Sequence, residues 1–224
     1  MNAVIFDMDG VLTDSEPVIN EAAIRGLREY GIDPQPKDFD PFVGMGEDRY
    51  IGGVAETYGL RYTPDMKRRV YQIYLKILPD RPVGFPGVHK LLDTLNQAGR
   101  LIALASSADR IKVTANLEAI DIETDRFAAL VTGEEVERKK PAPDIYLEAS
   151  GQLGVAPDCC CVVEDAVSGV QAAKAAGMRC IAVTTSFAKD ELLSAGADSV
   201  RPALADIRLS DFAGVAEPSD DALR

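Results

Sequence analysis

Short apolar runs punctuate the chain: AVIF (3–6), LIALA (101–105), AALVT (128–132), CCVV (160–163) and CIAVT (180–184). Each has the length of a strand covered on both faces, which reads as a continuous apolar stretch. The segments between them carry the helical period instead. Val88, Leu91, Leu92 and Leu95 stripe a helix before LIALA. A second helix over roughly 143–153 precedes CCVV, and VSGVQAAKAAG (167–177) precedes CIAVT. Strands alternating with helices predict an α/β fold, a doubly wound parallel sheet.

Residues 15–82 break this rhythm and carry only helix signal. Pro17 opens a helix that ends near Gly31. Ile51, Val54, Ala55 and Tyr58 give the i, i+3, i+4, i+7 stripe of a second helix. Val70, Ile73, Tyr74 and Ile77 give the same for a third, begun at Thr63-Pro64 and stopped by Pro79. The pattern predicts a helical unit over 15–82 inserted after the first strand, with 1–14 and 83–224 forming the α/β core. RPVGFPGV (81–88) reads as the returning linker, and the acidic tail EPSDDALR as frayed.

Composition narrows the classes. The chain has 224 residues, 46% of them hydrophobic, enough to bury a real core. A net charge of −12 argues against nucleic acid or an anionic membrane as partner. An anionic substrate would need local positive charge. No apolar run approaches the ~20 residues of a membrane span, and no basic leader precedes AVIF. The expectation is a cytoplasmic monomer, or a stromal one if a transit peptide has been removed. Three of the four cysteines, Cys159 to Cys161, are adjacent, and Cys180 stands apart. Neighbours in a strand point to opposite faces, so the expectation is buried thiols, not a metal cage.

The stretch VIFDMDGVLTDSEP (4–17) runs an apolar strand into Asp7 and Asp9, then Gly10, then Asp14. Aspartate and glycine are ordinary turn residues. Clustered carboxylates are also hard oxygen ligands suited to Mg²⁺, which relieves their repulsion. The other predicted strands end in Ser106-Ser107 and in Glu164-Asp165, and Lys140-Pro141 lies between them. In an open parallel sheet these carboxyl ends share one edge, where ligands bind. Carboxylates, hydroxyls and an ammonium on one edge are equipment for phosphoryl transfer.

The chain resembles the haloacid dehalogenase superfamily, in its β-phosphoglucomutase-like and phosphoglycolate phosphatase-like branch. Four segments carry the likeness in order: DMDGVLTDS (7–15), ALASS (103–107), KKPAPDIY (139–146) and VVEDAVSGVQAAKAAGM (162–178). The resemblance implies a Rossmann-like core with a C1-type helical cap and a Mg²⁺-dependent phosphatase acting on a small phosphate ester. A sugar phosphate or phosphoglycolate is the substrate it suggests. It implies Asp7 as the nucleophile forming an aspartyl-phosphate, and Asp9 as general acid/base whose main-chain carbonyl also ligates Mg²⁺. Ser106, with Ser107 and Gly10 beside the phosphate, and Lys140 would bind phosphate. Asp165 would be a magnesium ligand, with Glu164 as ligand or support. Asp14 is expected to orient the loop or cap the helix that Pro17 opens.

VGMGEDRYIGG (43–53) resembles the specificity loop of such a cap, making Gly46 and Arg49 substrate-contact expectations. Its bland counterpart is plain capping, with a close backbone approach at Gly52-Gly53. β-Phosphoglucomutases carry a histidine on the helix after the first motif. Here Val18, Ile19 and Asn20 stand in that neighbourhood, and His89, the only histidine, lies beyond the linker. A sugar-phosphate mutase is therefore the runner-up, and a non-catalytic binding module the alternative of another class.

Overall fold

The computed structural model describes residues 1–213; the tail expected to fray, 217–224, lies outside them. Six strands form one parallel sheet: β1 (Ala3–Phe6), β2 (Leu101–Ala105), β3 (Ala129–Val131), β4 (Cys160–Glu164), β5 (Arg179–Val183) and β6 (Ser199–Arg201). Their spatial order is β3-β2-β1-β4-β5-β6, so the winding reverses between β1 and β4. A doubly wound sheet opens its ligand crevice at such a reversal. β1 pairs with both neighbours in register, Ile5 lying beside Ala103 and Val162.

The two faces of the sheet serve different cores. Ala3, Ile5, Cys160, Val162 and Cys180 face one apolar cluster; Val4, Phe6, Cys161 and Val163 face the other. The cysteines are free thiols. Cys160, Cys161 and Cys180 are buried as small hydrophobes, and Cys159 is half-buried. The edge strand β6 has no expectation behind it, because Ser-Val-Arg offers only one apolar position to read.

Eight α-helices are seen among the described residues: α1 (Glu16–Arg28), α2 (Glu47–Thr57), α3 (Pro64–Ile77), α4 (Val88–Gln97), α5 (Arg110–Ala119), α6 (Asp144–Leu153), α7 (Val167–Ala175) and α8 (Lys189–Ser194). The first three make up the insert. α1 and α3 approach closely at Gly26, where an added Cβ would lie 2.8 Å from Val70 Cγ2. The insert's apolar faces, with Ile19, Leu27, Ile51, Val70 and Tyr74, join the same cluster as Phe6 and Leu104 of the sheet.

The chain leaves and re-enters the sheet side by side. Thr13 pairs antiparallel with Gly84. Asp14 N–H donates to Val83 O at 2.7 Å, and Phe85 N–H donates to Leu12 O at 3.1 Å. These contacts seat the insert directly over the carboxyl end of β1.

α5 and α8 are helices that the hydrophobic pattern does not announce. The buried face of α5 carries Lys112, Val113, Asn116 and Leu117. Half of that face is polar, so the apolar period is broken.

Gly26→Val should push α1 from α3 and destabilise the fold by about 1–3 kcal/mol, the usual range for overpacking. A lowered urea midpoint with unchanged slope is the expected readout.

Candidate active site

Asp7 follows β1 and Asp165 follows β4, so the winding reversal sets them side by side. Asp7 N–H donates to Val163 O at 3.0 Å, extending the ladder by one residue and fixing the carboxylate at the strand end. Asp7 is only 7% exposed and Asp165 4%. Glu164 is buried between them.

Lys140 reaches into this cluster from the loop before α6. Its Nζ donates to Asp7 Oδ1 at 2.5 Å and to Glu164 Oε1 at 2.6 Å. Tyr146, one turn into α6, donates its hydroxyl to the same Glu164 oxygen at 2.8 Å. Glu164 Oε2 accepts the N–H groups of Asp165 and Ala166 at 2.7 and 2.8 Å. Gly169 leaves room for this carboxylate: a Cβ there would fall 1.6 Å from Glu164 Oε1.

The electrostatics follow from this packing. Burial raises the Asp7 carboxyl to about 7, against the opposing charge of Lys140. Burial, then the charges of Glu164 and Asp7, push Asp165 well above the ordinary carboxylate range. Burial also acts to raise Glu164, but the charge and hydrogen bonds of Lys140, with those of Ala166 and Tyr146, hold it below its ordinary value. Two carboxylates, Asp7 and Glu164, thus share one ammonium, and burial disfavours the charged forms of Asp7 and Asp165 as long as no further cation faces them. Gly10, at φ +83°, passes so close that a Cβ would lie 1.9 Å from Asp165 Oδ2. Buried hard oxygen donors whose charged forms lack a cation suit a divalent ion such as Mg²⁺.

Of the expected metal set, Asp7 and Asp165 present carboxylates, Asp9 is expected to contribute its main-chain carbonyl, and Glu164 is placed as support, not as an open ligand. Among the described residues no group of three or more His, Cys, Asp or Glu side chains is gathered to hold a metal. Glu164 drops out because Lys140, Tyr146 and two backbone amides occupy its oxygens. The Asp9 carboxylate is drawn elsewhere. Ser15 donates to its Oδ1, Asn116 Nδ2 donates to the same atom at 3.2 Å, and Lys112 Nζ donates to Oδ2 at 2.8 Å.

Lys112 and Asn116 lie on the polar stripe that hides α5 from a pattern reading. Lys112 is 3% exposed and bridges two units: its other partner is Glu47 Oε1 of α2, at 3.1 Å. Asn116 accepts the hydroxyl hydrogen of Tyr74 from α3. The adjacency of Asp9 to these residues has no sequence signal, since they lie over 100 positions apart.

Asp7, Asp9, Gly10, Lys140, Glu164 and Asp165 line one cavity of about 130 Å³, together with Gly46 and Ser107. The two serines exchange emphasis. Ser106 is buried and its Oγ accepts Ala108 N–H at 3.1 Å, whereas Ser107 stands on the cavity wall with a buried Oγ that has no partner. Gly46, at φ +83°, forms the N-terminal boundary of α2.

Arg49 does not enter the cavity. Its guanidinium lies over the Phe42 ring, 5.1 Å from the centroid, and pairs with Glu56 at 3.0 Å. The close approach at Gly53 is real: a Cβ there would meet the Phe42 ring at 2.4 Å. Asp14 reaches the cavity mouth and caps nothing; Ser15 occupies the N-cap of α1, and its hydroxyl is committed to Asp9. Three cations of the insert are paired: Lys67 with Asp48 and with Asp109 of the core, Arg68 with Asp65, Arg69 with Glu29. His89 is exposed on α4. No helix among the described residues is long and apolar enough to cross a membrane.

Known proteins share this sequence and architecture. A family profile described as haloacid dehalogenase-like hydrolase matches residues 4–183. The chloroplastic protein SUPPRESSOR OF QUENCHING 1 of Arabidopsis thaliana is 44% identical over 216 residues, covering 95% of this chain and 20% of that protein. The chain therefore spans about a fifth of that relative's length. A phosphorylated carbohydrates phosphatase of Thermotoga maritima is 35% identical over 201 residues, covering 88% of this chain and 92% of its own. Among solved structures, CbbY from Rhodobacter sphaeroides in complex with phosphate superposes with a TM-score of 0.78 at 25% identity, covering 92% of this chain and 96% of that one.

Lys140→Met should leave Asp7 and Glu164 buried without their common cation. The expected loss is about 3–5 kcal/mol of stability, the usual cost of removing one partner of a buried pair. Urea unfolding at neutral pH measures it.

Proposed function

The chain belongs to the haloacid dehalogenase-like hydrolases, and we propose that it is a Mg²⁺-dependent phosphatase of a small phosphorylated carbohydrate. One observation carries the reading. Asp7 and Asp9 open on the same cavity, yet each is held by its own lysine: Lys140 for the first, Lys112 for the second. Two carboxylates in distinct environments can take distinct tasks.

Asp7 attacks the phosphorus, and the bond to the ester oxygen breaks. Asp9 would act as the general acid that delivers a proton to that leaving oxygen. Water then attacks the aspartyl-phosphate, Asp9 takes the water's proton, and inorganic phosphate leaves with Asp7 restored. Lys140, the Ser106 hydroxyl and the Ser107 side chain and amide would bind phosphate oxygens. Asp7, Asp165 and the Asp9 carbonyl would hold Mg²⁺, which supplies charge neutralisation on the transferring group. The insert would act as a cap that excludes water during transfer.

Water is the favoured acceptor over a second sugar hydroxyl, because the described cavity wall carries no histidine. Asn20 instead donates to the Tyr50 hydroxyl at 3.0 Å and to Pro36 O at 3.2 Å. The chloroplastic relative makes an organelle stroma one setting to test.

Phosphate release from hexose, pentose and hexitol monophosphates should require Mg²⁺ and stop with chelator. Asp7→Asn should abolish it, and Asp9→Asn should lower kcat by roughly 10²–10⁴-fold, the usual share of general acid/base catalysis. Mg²⁺ should also raise the Tm, and less so in Asp165→Asn. A folded protein inert toward all these esters, with no Mg²⁺ shift, would favour the non-catalytic alternative.

A further inference from the structure

The insert's contribution to the cavity is acidic. Glu47 and Glu16 line it, with Tyr50 and Phe42 beside them, and Asp14 of the core loop adds a third carboxylate. Among the described residues the only cations lining it are Lys140 and Lys112, and each already lies between two carboxylates. Arg25 and Arg28 line a wider outer groove, where they pair with Glu21 and Asp33.

Glu47 stands out within this wall. It opens α2 directly after Gly46, is 8% exposed, and spends one oxygen on Lys112. Its other oxygen, Oε2, is buried and has no partner. A buried carboxylate oxygen without a donor is costly, and such groups in native proteins call for a partner. Lys112 ties this same carboxylate to Asp9, the group facing the leaving oxygen. A donor at Glu47 Oε2 would therefore belong to the part of the substrate that departs.

We propose that Glu47 is the specificity residue for the leaving group: its Oε2 accepts a hydrogen bond from a hydroxyl of an uncharged polyol or sugar, and its charge turns away leaving groups that carry a carboxylate or a second phosphate. The inference rests on the phosphatase reading and sharpens its substrate class. It separates two substrates that the sequence leaves together, since phosphoglycolate carries a carboxylate on its departing part and a hexitol monophosphate carries only hydroxyls. A second anion placed beside Glu47 would find no free cation on the described cavity wall, Lys37 lining only the outer groove, and like charges at close range are a strong means of rejection.

The test compares a hexitol monophosphate, 2-phosphoglycolate, a hexose bisphosphate and an amino-sugar phosphate. The parent chain should favour the hexitol ester by at least about ten-fold in kcat/KM, and Glu47→Gln, shown folded by circular dichroism, should cut that preference about ten-fold, chiefly through KM. Calorimetric binding to Asp7→Asn reads the same preference without turnover and leaves Glu47 intact. A chain that hydrolyses nothing but binds the hexitol ester ten-fold tighter than phosphoglycolate would sink the phosphatase reading and the leaving-group role with it, while upholding Glu47 as the selector of a neutral hydroxyl. Equal or better use of phosphoglycolate or the bisphosphate overturns the proposal, as does an unchanged preference in folded Glu47→Gln. Preference for the amino-sugar ester would overturn the assignment of a neutral hydroxyl donor.

Discussion

A lysine ammonium buried between two carboxylates removes three charges from water at once, and the geometry around it has to make that worthwhile. Lys140 does this with Asp7 and Glu164 at 2.5 and 2.6 Å. Tyr146 and the amides of Asp165 and Ala166 fill the remaining positions on Glu164. Glu164 is thereby fully satisfied and becomes a strut. Asp7 keeps one oxygen uncommitted, and Asp165 keeps one beyond the Ser186 hydroxyl. The open oxygens belong to the two groups flanking the reversal of the sheet, and Gly10 leaves room for the Asp165 carboxylate beside the loop.

Lys112 is the second such node, and it joins parts of the chain that the first does not. Lys140 works within the α/β core. Lys112 rises from the core helix α5 and reaches both Asp9, in the loop after β1, and Glu47, in the insert. Asn116 repeats the pattern one turn later, donating to Asp9 while accepting from Tyr74 of α3. Two residues on one face of α5 thus link the acid/base candidate to the helices above it. A lysine with only a surface role would gain little from either pair. Buried at 3% exposure, it is committed to both.

How legible the site was depended on whether its residues sit at strand ends. AVIF and LIALA are read to the residue, because continuous apolar runs mark buried parallel strands and the polar group after each is conspicuous. Asp7, Lys140, Glu164 and Asp165 are therefore visible as residues that one sheet edge would collect. The helix α5 was not legible, since Lys112 and Asn116 occupy positions where the pattern expects apolar side chains. Glu47 hid for a different reason: a glutamate in the first turn of a helix ordinarily complements the helix dipole in water. Arg49, two residues on, looked more suited to a phosphate ester, but that step along a helix turns the side chain by about 200° and carries it out to Phe42 and Glu56. Sequence order gives proximity to the loop and not the face.

The hinge explains why these nodes depend on one another. The outgoing loop residues Leu12 to Asp14 and the returning Val83 to Phe85 are bonded side by side, which couples the insert to the loop that carries Asp9. Ser15, the first residue past that hinge, itself donates to Asp9. The carboxylate is therefore gripped from the hinge by Ser15 and from the core by Lys112 and Asn116, while Lys112 also grips the insert. Withdrawal of α2 would free Lys112 from Glu47 and leave Glu47 to water. The seated position of the insert and the orientation of Asp9 are then a single arrangement held by shared side chains, and under the proposed function a leaving group that satisfies Glu47 Oε2 would add its binding to the arrangement that orients Asp9.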